Sequence, residues 1–411
     1  MINTPKSLRL HIGIFGRRNV GKSSLLNAIT RQQVSIVSDV AGTTTDPVEK
    51  PMEFLPIGPV VFIDTAGVDD IGALGEMRIK KTKKIFERTD LGIIVTDDGR
   101  WGNFEQGIYD ELKNRKTPVI AVFNKSDIAA ADEQAINKLK SMKISCVQMA
   151  ANQSKGILDF RQALIDAGPV VFINTSSILG AVVVPGEMAV LVVPIDKEAP
   201  KGRIILPQVQ CIRDILDNDA YCVVVKEHEL RSALERFANK PPKIVITDSQ
   251  AFLKVAGDTP DEIPLTSFSI VFARYKGDLN EFFKGTRAID KLKSGDKVLI
   301  AESCSHHPIV DDIGRVKIPR WLNEYVGGEL KFDTCQGNDF PQNLADYKLV
   351  LQCGGCMSNR KQILSRIEQC RKKGVPITNY GVAIAYILGI FERALRPFAK
   401  ELYPSFKMPR H

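Results

Sequence analysis

The first third of the chain alternates short apolar runs with longer polar segments of helical spacing. Glu76–Arg88 and Phe104–Asn114 are two of the helical segments. Alternation of strands and helices predicts a mostly parallel sheet that is covered by helices on both faces, so the fold class is α/β. The runs that we expect to form strands are Leu8–Phe15, Val60–Ile63, Leu91–Thr96, Pro118–Phe123 and Ile144–Met149.

Two breaks in the pattern divide the rest of the chain. The first lies at Ala167–Pro169, and the second is Gly257–Pro264, which looks like a linker. We therefore expect domains at residues 1–169, 170–265 and 266–411, the second and third also α/β. Helices are predicted at Leu230–Phe237 and Gln362–Lys373. The apolar runs that we expect to form strands are Met188–Pro194, Ala220–Lys226, Lys243–Thr247, Lys297–Ala301 and Tyr347–Leu351.

Composition places the chain among ordinary globular proteins. Apolar residues make up 44% and charged residues 25% of 411 residues, and the net charge of +8 is spread without a basic block. The apolar stretch Val382–Phe391 is shorter than the ~20 residues of a membrane span. We expect a cytoplasmic protein without a membrane segment. Nucleic-acid binding is not expected, because no basic surface studded with aromatic residues is evident.

Residues Gly16–Ser23 match the phosphate-loop pattern G-x-x-x-x-G-K-[ST]. The motif follows a predicted strand and precedes the helical segment Ser24–Thr30, which is the context that the motif requires. Glycines let backbone N–H groups crowd around phosphate oxygens, Lys22 offers a charge to the outer phosphates, and the Ser23 hydroxyl binds magnesium. The predicted nucleotide contacts are Gly16, Asn19, Val20, Gly21, Lys22, Ser23 and Ser24.

Two further segments predict the rest of a magnesium and phosphate site. Asp64-Thr-Ala-Gly67 follows the strand Val60–Ile63, so Asp64 is expected in the magnesium shell and the Gly67 amide at the terminal phosphate. Thr44, in the polar loop Gly42–Asp46, is expected to reach magnesium when the nucleotide is bound. Lys22, Thr44, Asp64 and Gly67 are the predicted catalytic residues.

Asn124-Lys-Ser-Asp127 ends the strand Pro118–Phe123 and predicts the base-binding loop. The Asp127 carboxylate can accept two hydrogen bonds from the guanine edge, which selects GTP over ATP. Lys125 belongs to the same loop. Ala150-Ala151-Asn152 resembles the last guanine-contact loop, although it lacks the usual serine.

These motifs resemble the small GTPases related to translation factors, and most closely the Era/TrmE branch. Val68 stands where a Ras-like enzyme carries its water-orienting glutamine. Asn19 lies where the branch holds an activating potassium ion, although an asparagine there could also merely cap the loop. The resemblance implies an enzyme that hydrolyses GTP to GDP and phosphate with magnesium, and that potassium stimulates.

Three of the eight cysteines fall in two short motifs of the third region. Cys304-Ser-His306 follows the strand Lys297–Ala301, and Cys353-Gly-Gly-Cys356 follows the strand Tyr347–Leu351. If these strands are parallel, both motifs emerge at one sheet edge, where open α/β sheets bind ligands. Ser358 or Asn359 could cap the next helix, whose N-terminal amides would then face the site.

The spacing leaves three kinds of site open. Cys353 and Cys356 could form a redox pair, Cys304, His306, Cys353 and Cys356 could bind zinc, or three cysteines could hold an iron–sulfur cluster. For a cluster, His306 and Glu302 are candidate fourth ligands. Glu302 shares a strand face with Cys304, although a solvated strand end would explain it equally. Cysteines 146, 211, 222 and 370 are expected in cores, and Cys335 is unexplained.

The order of these features resembles the HydF family of FeFe-hydrogenase maturation GTPases. A GTPase of the Era/TrmE type precedes a motif-poor middle region, and then 46 residues separate His306 from Cys353. Gln352 departs from the family pattern, which commonly has histidine before the CxxC pair.

The resemblance implies a scaffold or carrier for the two-iron precursor of the hydrogenase active site. It implies a 4Fe-4S cluster on Cys304, Cys353 and Cys356, a middle region that forms a homodimer, and two radical-SAM maturases and the hydrogenase apoprotein as partners. The alternative is an Era/TrmE-like GTPase of RNA modification or ribosome assembly with a C-terminal zinc module. A stand-alone redox protein is a third interpretation.

Overall fold

The computed structural model describes residues 4–30, 48–65, 82–97, 99–168, 177–195, 201–202, 204–303 and 312–402. The chain forms two compact units, residues 1–176 and 177–411. No helix in the described ranges is long and apolar enough to cross a membrane.

The first unit is built on a six-stranded sheet with strand order β2-β3-β1-β4-β5-β6. All neighbouring strands are parallel except β2, which runs antiparallel to β3. The strands are β1 Leu10–Gly16, β2 Val48–Phe54, β3 Gly58–Asp64, β4 Leu91–Thr96, β5 Val119–Phe123 and β6 Ser145–Gln148. The helices are α1 Lys22–Thr30, α2 Asn103–Asn114, α3 Glu133–Ser141 and α4 Ile157–Ala167, and residues 82–88 are also helical.

Both faces of this sheet are buried, because its central strands are apolar at successive positions. Ile12 and Ile14 pack with Leu25 of α1, whereas Phe15 packs on the opposite face with Ile108 of α2. The parallel register brings the ends of β1, β3, β4 and β5 to one sheet edge. The loops that follow these strands therefore lie together.

The second unit contains two parallel sheets of four strands each. Their strand orders are β10-β9-β7-β8 and β12-β11-β13-β14. The strands are β7 Met188–Val192, β8 Tyr221–Val225, β9 Ile244–Thr247, β10 Leu265–Ser267, β11 Lys297–Ala301, β12 Lys331–Cys335, β13 Leu349–Gln352 and β14 Ile377–Asn379.

Helices cover these two sheets, and one buried apolar cluster joins them. This cluster includes Val190 of β7, Phe272 of α8, and Val350 of β13. The helices are α5 Leu206–Asp217, α6 Leu230–Arg236, α7 Phe252–Asp258, α8 Phe268–Lys276, α9 Leu279–Thr286, α10 Ile318–Val326, α11 Arg360–Lys372, α12 Tyr380–Ile387, α13 Phe391–Leu395 and α14 Ala399–Leu402.

The predicted fold class is confirmed: each part of the chain is α/β, with mostly parallel sheets. One detail is corrected, since Gly257–Pro264 is not a linker between domains. It includes the end of α7 and leads directly into β10, which pairs in parallel with β9 of the same sheet. Proline and glycine mark a turn within a sheet as readily as a linker. The domain boundaries at 169 and 265 stay predictions.

Candidate functional site

The phosphate loop connects the end of β1 to the start of α1. Lys22 is buried, and its ammonium donates to the carbonyl oxygens of Gly16 at 3.0 Å and Arg17 at 2.6 Å. Arg17 is in turn held by Glu105 at 2.9 Å, at the start of α2. The lysine thus lies folded back on its own loop, on carbonyls that a phosphate oxygen could replace.

Asp64 and Ser23 form a pocket suited to a divalent cation. The Ser23 hydroxyl donates to Asp64 Oδ2 at 2.9 Å, while Oδ1 is buried and without a hydrogen-bond partner among the described residues. Burial raises the pKa of Asp64, against the opposing effects of Lys22 and Ser23. A buried carboxylate oxygen without a partner is costly, and a magnesium ion would compensate it, so these residues fit Mg²⁺.

Asn124 links the phosphate loop to the segment that begins at Ala150. Its buried amide donates to the Val20 carbonyl at 2.9 Å and accepts from the Ala151 N–H at 3.1 Å. Gly21 is needed beside it, because a Cβ there would lie 2.2 Å from Asn124 Nδ2 and φ is +92°. The structure therefore brings three of the predicted nucleotide-binding segments together.

The other predicted nucleotide contacts lie around this centre. Asp127 is exposed and accepts from Gln153 at 3.1 Å, and Lys125 pairs with Asp97 at 2.8 Å. Asn19 is exposed with φ of +60°, and Ser24 is half-buried. Thr44, Gly67 and Val68 lie outside the described residues.

The third-region cysteines lie at the carboxyl edge of the β12-β11-β13-β14 sheet. β11 and β13 are parallel, and the Cys353 N–H donates to the Ala301 carbonyl at 3.0 Å. The Ser303 N–H lies 3.1 Å from Cys353 Sγ, so the residue before Cys304 reaches the CxxC pair. Cys304 and His306 themselves lie outside the described residues. Within the described ranges, no three His, Cys, Asp or Glu side chains are grouped as a metal site.

Hydrogen-bond donors surround the Cys353 sulfur. Besides Ser303, the amide of buried Gln352 lies with Nε2 3.6 Å from Cys353 Sγ. Its orientation follows from Arg366, which donates to Gln352 Oε1 at 2.9 Å, because a guanidinium has no acceptor and only the amide oxygen can face it. Burial raises the pKa of the Cys353 thiol, whereas the Ser303 and Gly355 N–H groups and Arg366 lower it.

Two cations are buried beside the CxxC pair with neutral partners. Arg366 is 2% exposed and lies over the Phe340 ring, and Lys276 is 1% exposed. Lys276 donates to the carbonyls of Gly355 at 2.8 Å, Cys356 at 3.3 Å and Ser358 at 2.9 Å. A buried cation without a counter-charge costs several kcal/mol. The surroundings therefore favour an anionic occupant, such as cysteine thiolates and the metal centre that they hold.

Asn359, Glu302 and Cys335 also lie at this edge of the sheet. Asn359 caps α11 by accepting from the Gln362 N–H at 3.2 Å, which confirms one of the two predicted caps. Glu302 is 2% exposed, so it is not a solvated strand end, and it pairs with Arg315 at 2.8 Å and Gln336 at 3.3 Å. The Cys335 carbonyl accepts from the Glu302 N–H at 2.9 Å, and burial raises the pKa of the Cys335 thiol to about 11.

Protein-family models match three segments of the chain. A model described as a 50S ribosome-binding GTPase matches residues 11–125. The hydrogen maturase F dimerization domain matches residues 178–277, and the hydrogen maturase F tetramerization domain matches residues 280–397. The last two together cover more than half of the chain. The chain belongs to the hydrogen maturase F family.

This member of the hydrogen maturase F family shares its GTPase part with better-known proteins. It is 35% identical over 158 residues to the tRNA modification GTPase MnmE of Synechococcus sp. (strain JA-3-3Ab), which covers 37% of this chain and 32% of MnmE. It is 37% identical over 133 residues to the GTPase Der of Wolinella succinogenes, which covers 31% of this chain and 28% of Der. The chain thus spans about a third of the length of these relatives.

Among solved structures, the match includes a variant of Era from Aquifex aeolicus bound to GDP and aluminium fluoride. Its sequence identity is 20%, its TM-score is 0.36, and it covers 61% of this chain and 99% of that chain. The family assignment rests on the domain models instead. With them, the resemblance predicted from the motifs is confirmed, and the N-terminal domain is a GTPase domain, which implies GTP and Mg²⁺.

Sequence reasoning missed three residues at the cysteine edge of this maturase. Lys276 carried a usable signal, since Phe268, Phe272 and Lys276 recur every fourth residue and all three are buried. Gln352 was noticed only as a departure from the family pattern, and Arg366 carried no signal, because their role depends on a contact between α11 and the end of β13.

Proposed function

We propose that this chain is a GTP-hydrolysing carrier that binds a 4Fe-4S cluster on Cys304, Cys353 and Cys356. In this proposal it assembles or delivers the two-iron precursor of the FeFe-hydrogenase active site. The observation that carries it is the pair of buried cations beside Cys353 and Cys356, in a chain of the hydrogen maturase F family. Family membership supports hydrogenase maturation, and the cations favour an anionic metal–thiolate centre. Iron is distinguished from zinc by the metal analysis below, because both metals on three thiolates give a negative centre.

Three cysteine ligands leave one iron of a four-iron cluster without a thiolate, and that iron can take an exchangeable ligand. Glu302 and His306 are the candidates within this chain. To bind the iron, the Glu302 carboxylate would have to give up its contacts with Arg315 and Gln336. We therefore expect it to be a ligand that other molecules readily displace. We expect Glu302→Ala and His306→Ala each to keep a cluster but to change its electron paramagnetic resonance spectrum. Spectra identical to wild type in both variants, together with no response to added imidazole, would remove the exchangeable position.

The cluster is tested by reconstitution without oxygen, followed by iron, sulfide and zinc analysis. We expect about four irons and four sulfides per chain, with broad absorption near 400 nm in wild type. Cys304→Ala, Cys353→Ala and Cys356→Ala should each lose most of the iron, whereas the core variant Cys222→Ala should keep it. GTP hydrolysis should persist in all four. Stoichiometric zinc without sulfide in wild type would replace the cluster with a zinc module.

For GTP hydrolysis, we assign phosphate binding to Lys22 and the loop amides, and magnesium to Ser23, Asp64 and Thr44. The magnesium ion, when bound, supplies charge stabilisation at the terminal phosphates. Ser23 engages one oxygen of Asp64, and the other has no hydrogen-bond partner among the described residues. Asp127 can exchange its contact with Gln153 for the guanine edge. The Gly67 amide is assigned to the terminal phosphate.

We assign potassium to Asn19, at the exposed turn of the phosphate loop. Its side chain lies outside the protein core, and φ of +60° turns the loop backbone there, so a cation could reach both. Hydrolysis should rise with potassium and not with sodium, and Asn19→Ala should lose that response while it keeps GTP affinity. The exposed Asn114→Ala, at the end of α2, is the control and should respond like wild type. Equal rates in the two salts would overturn the assignment.

The middle domain is proposed to form the homodimer through its exposed apolar region. The domain models name both dimerisation and tetramerisation, so oligomer assembly is supported. β8 is an edge strand with Tyr221 and Val224 exposed, and an exposed apolar edge strand can pair with a second chain. Val224→Lys should reduce the mass measured by light scattering, and Leu253→Lys, on α7, should not. Equal masses for Val224→Lys and wild type would place the interface elsewhere.

The proposed partners are the FeFe-hydrogenase apoprotein and two radical-SAM maturases in the cytoplasm. Membership of the maturase family and the cysteine site support this proposal. The test is to mix this protein, purified from cells that contain both maturases, with apo-hydrogenase and to measure hydrogen evolution. Wild type should activate the hydrogenase and Cys353→Ala should not; no activation by wild type would contradict the carrier role.

A further inference from the structure

Lys276 is an unusual lysine, because it ends a helix in the segment that matches one family model and is buried in a loop of the segment that matches the next. It is the last residue of α8, within the segment that matches the dimerization domain, whereas Gly355, Cys356 and Ser358 belong to the segment that matches the tetramerization domain. α8 also contacts α5 on one side and α11 and α12 on the other. The side chain therefore connects the segment that matches the dimerization domain to the CxxC loop.

The three donors of the Lys276 ammonium match three carbonyl acceptors in this loop. An ammonium has three N–H groups, and the Gly355, Cys356 and Ser358 carbonyls lie within 3.3 Å of it. Its stem packs under the loop, since Cδ would lie 4.0 Å from a Cβ at Gly355. This arrangement holds three carbonyl groups of one loop around one charge and leaves that charge beside Cys356.

The geometry points to Lys276 as a positioning residue that holds the CxxC loop in its ligating shape and compensates the charge of the metal–thiolate centre. This inference rests on the proposed function, because the centre is the anion that the lysine compensates.

Three substitutions separate the hydrogen bonds by which Lys276 holds the CxxC loop, which we call its grip, from its charge. Lys276→Met removes both, Lys276→Gln keeps hydrogen bonding without charge, and Lys276→Arg keeps the charge with a different shape. The exposed Lys284→Met on α9 is the control. Each protein is reconstituted without oxygen, and the midpoint potential of the cluster and the rate of iron loss to a chelator are measured.

The charge should determine the potential, and the grip should determine retention. We expect a more negative potential in Lys276→Met and Lys276→Gln, and a wild-type potential in Lys276→Arg. Iron loss should be about tenfold faster in Lys276→Met, in the range typical for groups that support metal ligands. Wild-type potentials in both uncharged variants would overturn the charge role. A wild-type rate of iron loss in Lys276→Met would overturn the grip.

An apo-protein measurement distinguishes failure of this inference from failure of the proposed function. Amide hydrogen exchange of residues 353–359, measured without metal, should be faster in Lys276→Met than in wild type and Lys284→Met. If wild-type protein takes up no cluster, the proposed function fails, yet faster exchange would still support the grip. If Lys276→Met does not fold, Lys276→Gln and Lys276→Arg are compared in the same way. Unchanged exchange in every folded variant would overturn the positioning role.

Discussion

The phosphate loop and the CxxC loop each contact a buried lysine through their backbone carbonyls. Each loop follows a parallel strand, and each has carbonyl oxygens that turn inward toward an ammonium. Lys22 contacts the carbonyls of Gly16 and Arg17, which precede it by six and five residues. Lys276 contacts carbonyls that follow it by about eighty residues.

Because the two lysines lie at such different sequence distances from the loops that they contact, we expect them to have different roles. Lys22 is part of the loop that it contacts, so it can turn toward a ligand without unfolding anything else. Lys276 is anchored in α8, and its three donors are matched by three carbonyls. The first lysine is placed to bind a ligand directly, whereas the second is placed to support the residues that bind. Substitutions at the two loops should therefore fail in different ways.

Lys22→Ala should have the largest effect. Without this charge the phosphates lose a direct partner in a water-poor site, so we expect GTP turnover to fall by at least about a hundredfold. Cluster content should stay unchanged, because the cysteines lie in the other compact unit. Turnover and nucleotide affinity are measured beside Lys113→Ala, an exposed lysine at the end of α2. Normal turnover in Lys22→Ala would contradict the phosphate-loop assignment.

The same contrast explains what the sequence could predict. The phosphate loop is local, so the spacing of Gly16, Gly21 and Lys22 already contains its chemistry. The sequence also indicated that β11 and β13 could be parallel neighbours, because a cysteine motif follows each of these apolar strands. Arg366 was not predictable, since a charged residue on a helix predicts an exposed face until tertiary contacts bury it. For Lys276, the spacing of four residues from Phe272 was the only signal. Glu302 is buried by the same kind of contact, with Arg315.

Gly355→Ala should have an intermediate effect, confined to the CxxC loop. Gly355 has φ of +68°, and a Cβ there would lie 3.1 Å from Ile363 Cδ1. A left-handed conformation costs about 1–2 kcal/mol for other residues, so we expect the melting temperature of the second unit to fall by on the order of 5 °C. Iron should also be lost faster to a chelator.

Gly354→Ala is the matched control for Gly355→Ala. A Cβ at Gly354 would make only an ordinary contact, 3.7 Å from Ser269 Oγ. We expect its melting temperature and iron retention to stay near wild type. Equal losses in the two variants would mean that the CxxC loop needs small residues in general rather than a left-handed turn at its second glycine.

The smallest effect should come from Gln352, whose amide nitrogen makes only long contacts with the site, to the Ser303 hydroxyl at 3.4 Å, the Cys353 carbonyl at 3.3 Å and the Cys353 sulfur at 3.6 Å. Arg366 fixes its amide so that Nε2 faces Cys353 Sγ. Hydrogen bonds to a ligating sulfur stabilise the more negative, reduced state of a cluster. Gln352→Leu removes this donor and should make the midpoint potential more negative. A net hydrogen bond of about 1 kcal/mol corresponds to roughly 40 mV for one electron.

Gln362→Leu is the control for this last substitution, because Gln362 is also buried but donates to Gly337 and Asn338 instead of sulfur. Its potential should equal that of wild type. Arg366→Met provides a second check, since without the guanidinium the Gln352 amide is free to turn its oxygen toward the sulfur. That variant should shift the potential in the same direction as Gln352→Leu. If Gln352→Leu and Gln362→Leu have the same potential, the amide supports the loop without tuning the sulfur, and the two buried cations, Lys276 and Arg366, are left as the neighbouring charges that set the potential.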